Sequence, residues 1–163
     1  MKYSKVFREK KEFVQLTDIF HDAVIRYIDL THWHRQVSFI VQCNEYLGSD
    51  YPHQSVFYIS FTKVRHFSFD VDAWPNKDEH YQKCAFRIGN VHDLSKESMG
   101  NEKFYRLIFK TGITVPKLEI HFSDIDIKYI GDNYGSGLLG EENVLLPENY
   151  ALNLLNNTLG QEF

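Results

Sequence analysis

Residues 23–43 read AVIRYIDLTHWHRQVSFIVQC, and this stretch decides the fold class. Its first part alternates with a period of two and is mostly apolar on both faces, which is typical of a buried strand. One face carries Val24, Arg26, Ile28 and Leu30, and the other carries Ala23, Ile25, Tyr27 and Asp29. Residues 32–35 (HWHR) predict a turn, and alternate apolar residues between 37 and 43 predict a second strand. Two strands this close in sequence indicate a β-hairpin.

The rest of the chain continues the same pattern. Further predicted strands cover residues 56–61, 64–71, 84–91, 104–111, 113–122 and 125–130. Polar residues 95–103 (SKESMGNEK) predict a loop. Aromatic residues make up 15% of the chain, and they favour sheet. No helix of crossover length separates the strands, so about eight antiparallel strands are expected. The sequence predicts a mainly β (α+β) fold, either a sandwich or a partly open barrel.

Two short helices are expected at the ends of this sheet-forming region. Apolar residues at helical spacing in 9–20 indicate a short helix or an extended arm, and residues 1–12, which overlap it, form a basic N-terminal arm. The tail at 131–163 is glycine-rich and acidic, and its Leu-rich end predicts a helix that starts near Pro147. At 163 residues, the whole chain 1–163 has the size of a single domain.

Charge and composition exclude several classes of protein. The net charge is −4, and residues 117–163 hold two basic and eight acidic side chains. This balance argues against nucleic-acid binding. No apolar run is long enough to span a membrane, and the first sixteen residues lack the features of a signal peptide, so a cytoplasmic protein is expected. Cys43 and Cys84 both lie in apolar segments, where they are expected to be buried thiols.

Two motifs invite cofactor hypotheses that the surrounding sequence does not support. Residues 135–140 (GSGLLG) match a dinucleotide-binding pattern, but too little chain follows for the helix and second strand that this site needs, so a loop is predicted. His32 and His34 would share one face of a strand, yet nothing completes a zinc site. The sequence therefore predicts neither a metal nor another cofactor.

Another set of polar residues could serve a ligand site. If the strands closed into a barrel around an apolar pocket, its candidate polar groups would be His66, Asp70, His121 and Asp126. This alternative is a small enzyme or a ligand-binding β-barrel. The polar stretch 63–66 and Pro116 are typical of protected sheet edges, and an exposed edge would allow a homodimer.

Residues 20–25 (FHDAVI) open the first strand, and residues 61–69 follow an F-x-x-V-x-x-F-x-F pattern. Physically, Asp22 can hold backbone N–H groups in an Asx-type turn with His21 against it, which predicts a polar clasp at the sheet edge. The two segments also resemble small bacterial β-rich domains that begin their sheet with "HDA" or "HDS". Some of those domains are assigned as immunity proteins of polymorphic toxin systems. The resemblance covers residues 20–70 and implies binding of a toxin, without catalytic residues to transfer.

The sequence thus favours a non-enzymatic protein-binding domain over an enzyme. Its partner is expected to be a protein, and the acidic last third would suit a basic toxin. Nucleic acid, membrane and cofactors are not expected as partners. The candidate binding residues are His21, Asp22, His66, Asp70, His121 and Asp126.

Overall fold

A computed structural model describes residues 4–7, 16–31, 35–44, 47, 51, 53–69, 86–87, 90–110, 117–140 and 145–159. The strands are β1 (Ser4–Phe7), β2 (Val24–Thr31), β3 (Gln36–Cys43), β4 (Ser55–Thr62), β5 (His66–Phe69), β6 (Phe86–Arg87), β7 (Asn90–Met99), β8 (Glu102–Lys110), β9 (Lys117–Phe122) and β10 (Asp124–Asp132). The helices are α1 (16–20) and α2 (Glu148–Leu159). In this part of the chain no helix is long and apolar enough to cross a membrane.

The strands form two antiparallel sheets. The larger sheet has the order β1-β10-β4-β3-β2-β6, and the smaller sheet has the order β5-β9-β8-β7. Each of the eight predicted strands overlaps a strand of the structure, so the mainly β, antiparallel prediction is confirmed. Over the described residues the sheets do not close into a barrel, which leaves the sandwich as the observed alternative. Within the basic N-terminal segment, β1 pairs with β10 at the edge of the larger sheet.

The predicted hairpin is present as β2 and β3, but its alternation is interrupted at Arg26. Ile25 pairs with Val41 and Tyr27 pairs with Ile40, so Arg26 is an extra residue opposite the β3 strand. At such a bulge, two consecutive side chains can lie on the same side of the sheet. The predicted placement of Arg26 and Tyr27 on opposite faces is therefore wrong, because both lie on the outer face of the larger sheet.

The strand β7 replaces the loop predicted at residues 95–103. It runs to Met99 and turns through Gly100 and Asn101 into β8, with Met99 paired to Glu102. Gly100 has a φ of +63°, a conformation that two-residue hairpin turns require. The prediction failed because β7 lies at the edge of the described sheet. An edge strand can carry exposed polar side chains without the alternation of a half-buried strand.

Apolar side chains from the inner faces of both sheets fill the space between them. Phe61 of the larger sheet packs edge-on against Phe122 of the smaller sheet, with ring centroids 4.9 Å apart. Phe20 at the end of α1 packs against Phe109 of the smaller sheet, with ring centroids 4.4 Å apart. Cys43 is buried in the same cluster, as predicted, and Cys84 lies outside the described residues. The main core is thus a packed interior between two sheets.

A second apolar cluster covers the outer face of the larger sheet. The predicted C-terminal helix is present as α2, which begins directly after Pro147. Its buried residues Ala151 and Leu155 pack with Tyr27, Ile40 and other side chains of the sheet. The glycine-containing segment 133–140 forms turns beneath the helix. It is a loop, as predicted.

Arg26 links this outer layer to the sheet. Its side chain is 1% exposed and donates to the main-chain oxygen of Leu139 (2.6 Å) and to Oε1 of Gln42 (3.0 Å). Gln42 in turn donates to Asn44 (3.3 Å), and the Asn44 amide donates to the main-chain oxygen of Asp22 (2.8 Å). The loss of hydration on burial lowers the pKa of Arg26, and Tyr150 offsets this in part.

Candidate functional site

The outer face of the smaller sheet brings two of the predicted site residues together. β5 and β9 are antiparallel neighbours with His66 directly opposite His121, and their ring centroids are 4.7 Å apart. Residues two apart on a strand share a face, so Ser68 and Glu119 lie on this side as well. The Nε2 atom of His66 is 3.2 Å from the hydroxyl of Ser68. The register of two strands distant in sequence therefore creates a histidine pair.

His121 is held in place by its neighbours. Its Nε2 lies 2.9 Å from Oε1 of Glu119, and Arg106 donates from Nε to the same oxygen at 2.5 Å. The imidazole stacks on Phe104, with centroids 5.4 Å apart and an interplanar angle of 21°. The Glu119 side chain is 13% exposed, so its charge is partly removed from water and neutralised by Arg106. This arrangement orients His121 and stabilises the outer face.

Arg65 connects the histidine pair to the end of the sandwich. Its guanidinium lies over the ring of Phe104, 4.9 Å from the centroid, and pairs with Glu102 at 2.7 Å. Its main-chain N–H donates to the carbonyl of His121 at 2.8 Å. The backbone and side chain of Arg65 are therefore both fixed, and the residue lies beside His66 at the edge of the adjacent groove.

That groove lies where turns from both sheets meet, and it has a volume of about 1010 Å³. We call it the basic groove. Its lining residues are Leu30, Arg35, Lys63, Val64, Arg65, His66, Phe67, Glu102, Lys103 and Ser123. Of these ten described lining residues, four are Lys or Arg and one is acidic, whereas Lys and Arg together make up 18 of the 163 residues of the chain. The described lining is thus richer in basic side chains than the chain as a whole, whose net charge is −4.

Three other predicted site residues, His21, Asp22 and Asp126, lie away from the histidine pair. His21 and Asp22 are exposed after α1, with His21 Nδ1 3.6 Å from Asp22 Oδ2. Asp126 is on β10 of the larger sheet, opposite Ser60, and its Oδ2 is 3.8 Å from Lys128 Nζ. Asp70 lies outside the described residues. The structure therefore joins His66 and His121 but not the full predicted set.

The predicted clasp at Asp22 takes a different form. The hydrogen bond comes from Asn44 and is accepted by the main-chain oxygen of Asp22, rather than from backbone N–H groups to its carboxylate. Asp22 has a φ of +52°, which ends α1 in a left-handed conformation that Asp tolerates better than most residues. The residue thus has a backbone role at the start of the sheet.

Within the described ranges, no group of three or more His, Cys, Asp or Glu residues lies close enough together to hold a metal ion. The predicted pair His32 and His34 lies outside those ranges, so the expectation of no metal stays a prediction.

Sequence reasoning missed the basic groove. In the sequence, the stretch 63–66 (KVRH) is typical of a protected sheet edge, although it supplies four of the lining residues. The sequence predicts a turn at Arg35 and a loop at Lys103. The sequence therefore shows the polar residues of the groove at separate turns, but only the packing of two sheets brings these turns together.

No protein-family model matches the chain, and no curated protein matches it.

Proposed function

We propose that this chain is a non-enzymatic protein-binding domain. The observation that carries the proposal is the distribution of side chains. Apolar residues of both sheets pack through the interior, whereas His66 and the basic groove lie on the outside. An open, mixed polar and apolar surface suits a partner protein better than a small molecule, which is usually enclosed in a concave, mostly apolar pocket.

The alternative, an enzyme or ligand-binding barrel, has less support. It required polar side chains to converge inside a closed barrel, but the described sheets form a sandwich. His66 is exposed, and Asp126 belongs to the other sheet. His121 and Glu119 do form a hydrogen-bonded pair, but Arg106 shares the same carboxylate oxygen. That arrangement supports a structural ion pair on a sheet face.

The charge of the last third gives limited support to a basic partner. Four of its described carboxylates already have partners within the fold: Glu119 with Arg106, Asp124 with Lys63, Asp126 with Lys128, and Asp132 with the N–H of Gly135. A charge engaged in this way contributes less to attracting a second molecule. Whether the partner is basic or acidic therefore depends on the charged side chains that have no partner within the fold.

The test is affinity capture of the tagged full-length protein from its source cells, with excess untagged protein as competitor. We expect a protein in near-equal molar amount that the competitor displaces, and a defined complex by light scattering. Light scattering of the chain alone also tests the predicted homodimer. Capture of no partner above background, together with turnover of a small molecule by the purified chain, would contradict the proposal.

A finer proposal is that the partner is a toxin. Its support is the resemblance of residues 20–70 to immunity domains. The product of a neighbouring gene is expressed with this chain or with an unrelated β-sandwich protein, and growth is measured. Growth restored only by this chain is the expected result. Equal growth inhibition in both strains would exclude neutralisation of that product.

A further inference from the structure

We infer that the basic groove binds an acidic segment of a partner protein that also carries apolar side chains. This inference rests on the proposed function and names the surface and the chemistry of the partner. The groove is formed by the β2–β3 turn, the β4–β5 corner, the β7–β8 hairpin and the β9–β10 turn. Residues from four separate connections thus present one surface.

The charges of the groove divide into two kinds. Lys63 pairs with Asp124 at 3.2 Å, and Arg65 pairs with Glu102 at 2.7 Å, so these two cations are largely neutralised. Arg35 and Lys103 are exposed, and neither has an ion-pair partner among the residues that the structure describes. These two side chains are the ones available for carboxylates of a ligand. Exposed His66 adds a further polar group at the same rim.

The apolar part of the groove argues for a protein ligand. Leu30 is 39% exposed, and half-buried Phe67 and the largely buried Val64 also line the groove. Burial of a ligand side chain against these residues would remove apolar surface from water. A nucleic acid would instead need several unpaired cations, because neutralisation of its phosphates by Lys and Arg supplies most of the affinity for a nucleic acid. Two unpaired cations beside an apolar surface match an acidic, partly apolar peptide.

The binding test uses fluorescence anisotropy with a short fluorescein-labelled peptide of alternating glutamate and leucine. Lys103→Glu is compared with Lys96→Glu, because both lysines are exposed on the β7–β8 hairpin and both changes alter the net charge equally. Lys96 does not line the groove. We expect Lys103→Glu to weaken binding about tenfold and Lys96→Glu to leave it within about twofold. Arg35→Glu, at the β2–β3 turn of the same groove, should reproduce the loss.

Higher salt should also weaken peptide binding, because exposed charges are screened. Equal binding by the Lys103→Glu and Lys96→Glu proteins, or no binding by the wild type, would overturn the inference. Tighter binding of a single-stranded oligonucleotide than of the peptide, lost in Lys103→Glu, would assign the groove to nucleic acid instead. Circular dichroism confirms that each variant is folded.

Affinity capture with the Lys103→Glu protein separates this inference from the proposed function. If the variant recovers the partner as well as the wild type does, protein binding stands and the groove is not its surface. If the wild type recovers no partner, the proposed function itself fails. Loss of the partner in Lys103→Glu but not in Lys96→Glu supports both.

Discussion

Arg26 is a charged side chain placed beneath a helix, and its hydrogen bonds explain how the fold accommodates it. A buried guanidinium loses hydration, and it needs acceptors for its N–H groups. The carbonyl of Leu139 and the amide oxygen of Gln42 supply two of them. The bulge at residue 26 turns the side chain towards these acceptors, so a local irregularity of β2 permits a specific connection to the C-terminal layer.

Asp22 gives a prediction about backbone conformation. Its φ of +52° disfavours residues with a Cβ that cannot bond locally, whereas glycine adopts this region freely. We expect Asp22→Ala to lower the free energy of unfolding by about 1 kcal/mol and Asp22→Gly to leave it nearly unchanged. Urea unfolding of the three proteins measures this difference. Equal destabilisation by Ala and Gly would instead assign the effect to the lost carboxylate.

At the scale of secondary-structure elements, α2 is stabilised by one buried face. Leu155 is 9% exposed against the sheet, whereas Leu152 in the same helix is 42% exposed. We expect Leu155→Ala to cost about 2 kcal/mol, at the lower end for buried leucines because the site is at the edge of its cluster. Leu152→Ala is the matched control and should cost less than about 0.5 kcal/mol. Chemical denaturation tests both, and equal losses would contradict the observed orientation of the helix.

The secondary-structure elements also show which parts of the fold can be predicted from sequence patterns. Alternation located the strands, because side-chain period and burial are linked within a strand. Pro147 located the start of α2 for a similarly local reason. The bulge at Arg26 and the polar strand β7 escaped prediction, since both depend on the neighbouring strand or on an edge position. The pairing of His66 with His121 likewise depends on a register between distant segments.

For the whole molecule, the ionisation of two tyrosines makes stability depend on pH in the alkaline range. Burial is the main cause that raises the pKa of Tyr27, with Asp29, Glu148 and Tyr58 adding to it. Burial, reinforced by Asp132 and opposed by a hydrogen bond from Ser55, raises the pKa of Tyr129. Above about pH 10 the unfolded chain releases these protons before the native protein does. Their contribution to stability is therefore intact below that pH and is lost as the pH rises through the folded pKa values.

We expect the free energy of unfolding to fall above about pH 10, and to fall less steeply in Tyr27→Phe and Tyr129→Phe. Tyr134→Phe is the matched control, because Tyr134 is 81% exposed. Urea midpoints measured below and above this pH test the expectation. An identical pH dependence in all four proteins would show that neither buried phenol controls the alkaline loss.

The hydrogen bond from Arg26 to Leu139 joins residues 113 positions apart in the chain. Contacts of such long range form slowly, since a large loop must close before they contribute any energy. Leu139, Leu146 and the buried face of α2 also need the finished outer face of the larger sheet before they can pack against it. We therefore expect this layer to assemble after the folding transition state. Changes within it would then accelerate unfolding and leave the folding rate almost unaltered, so the C-terminal layer would set the lifetime of the native state.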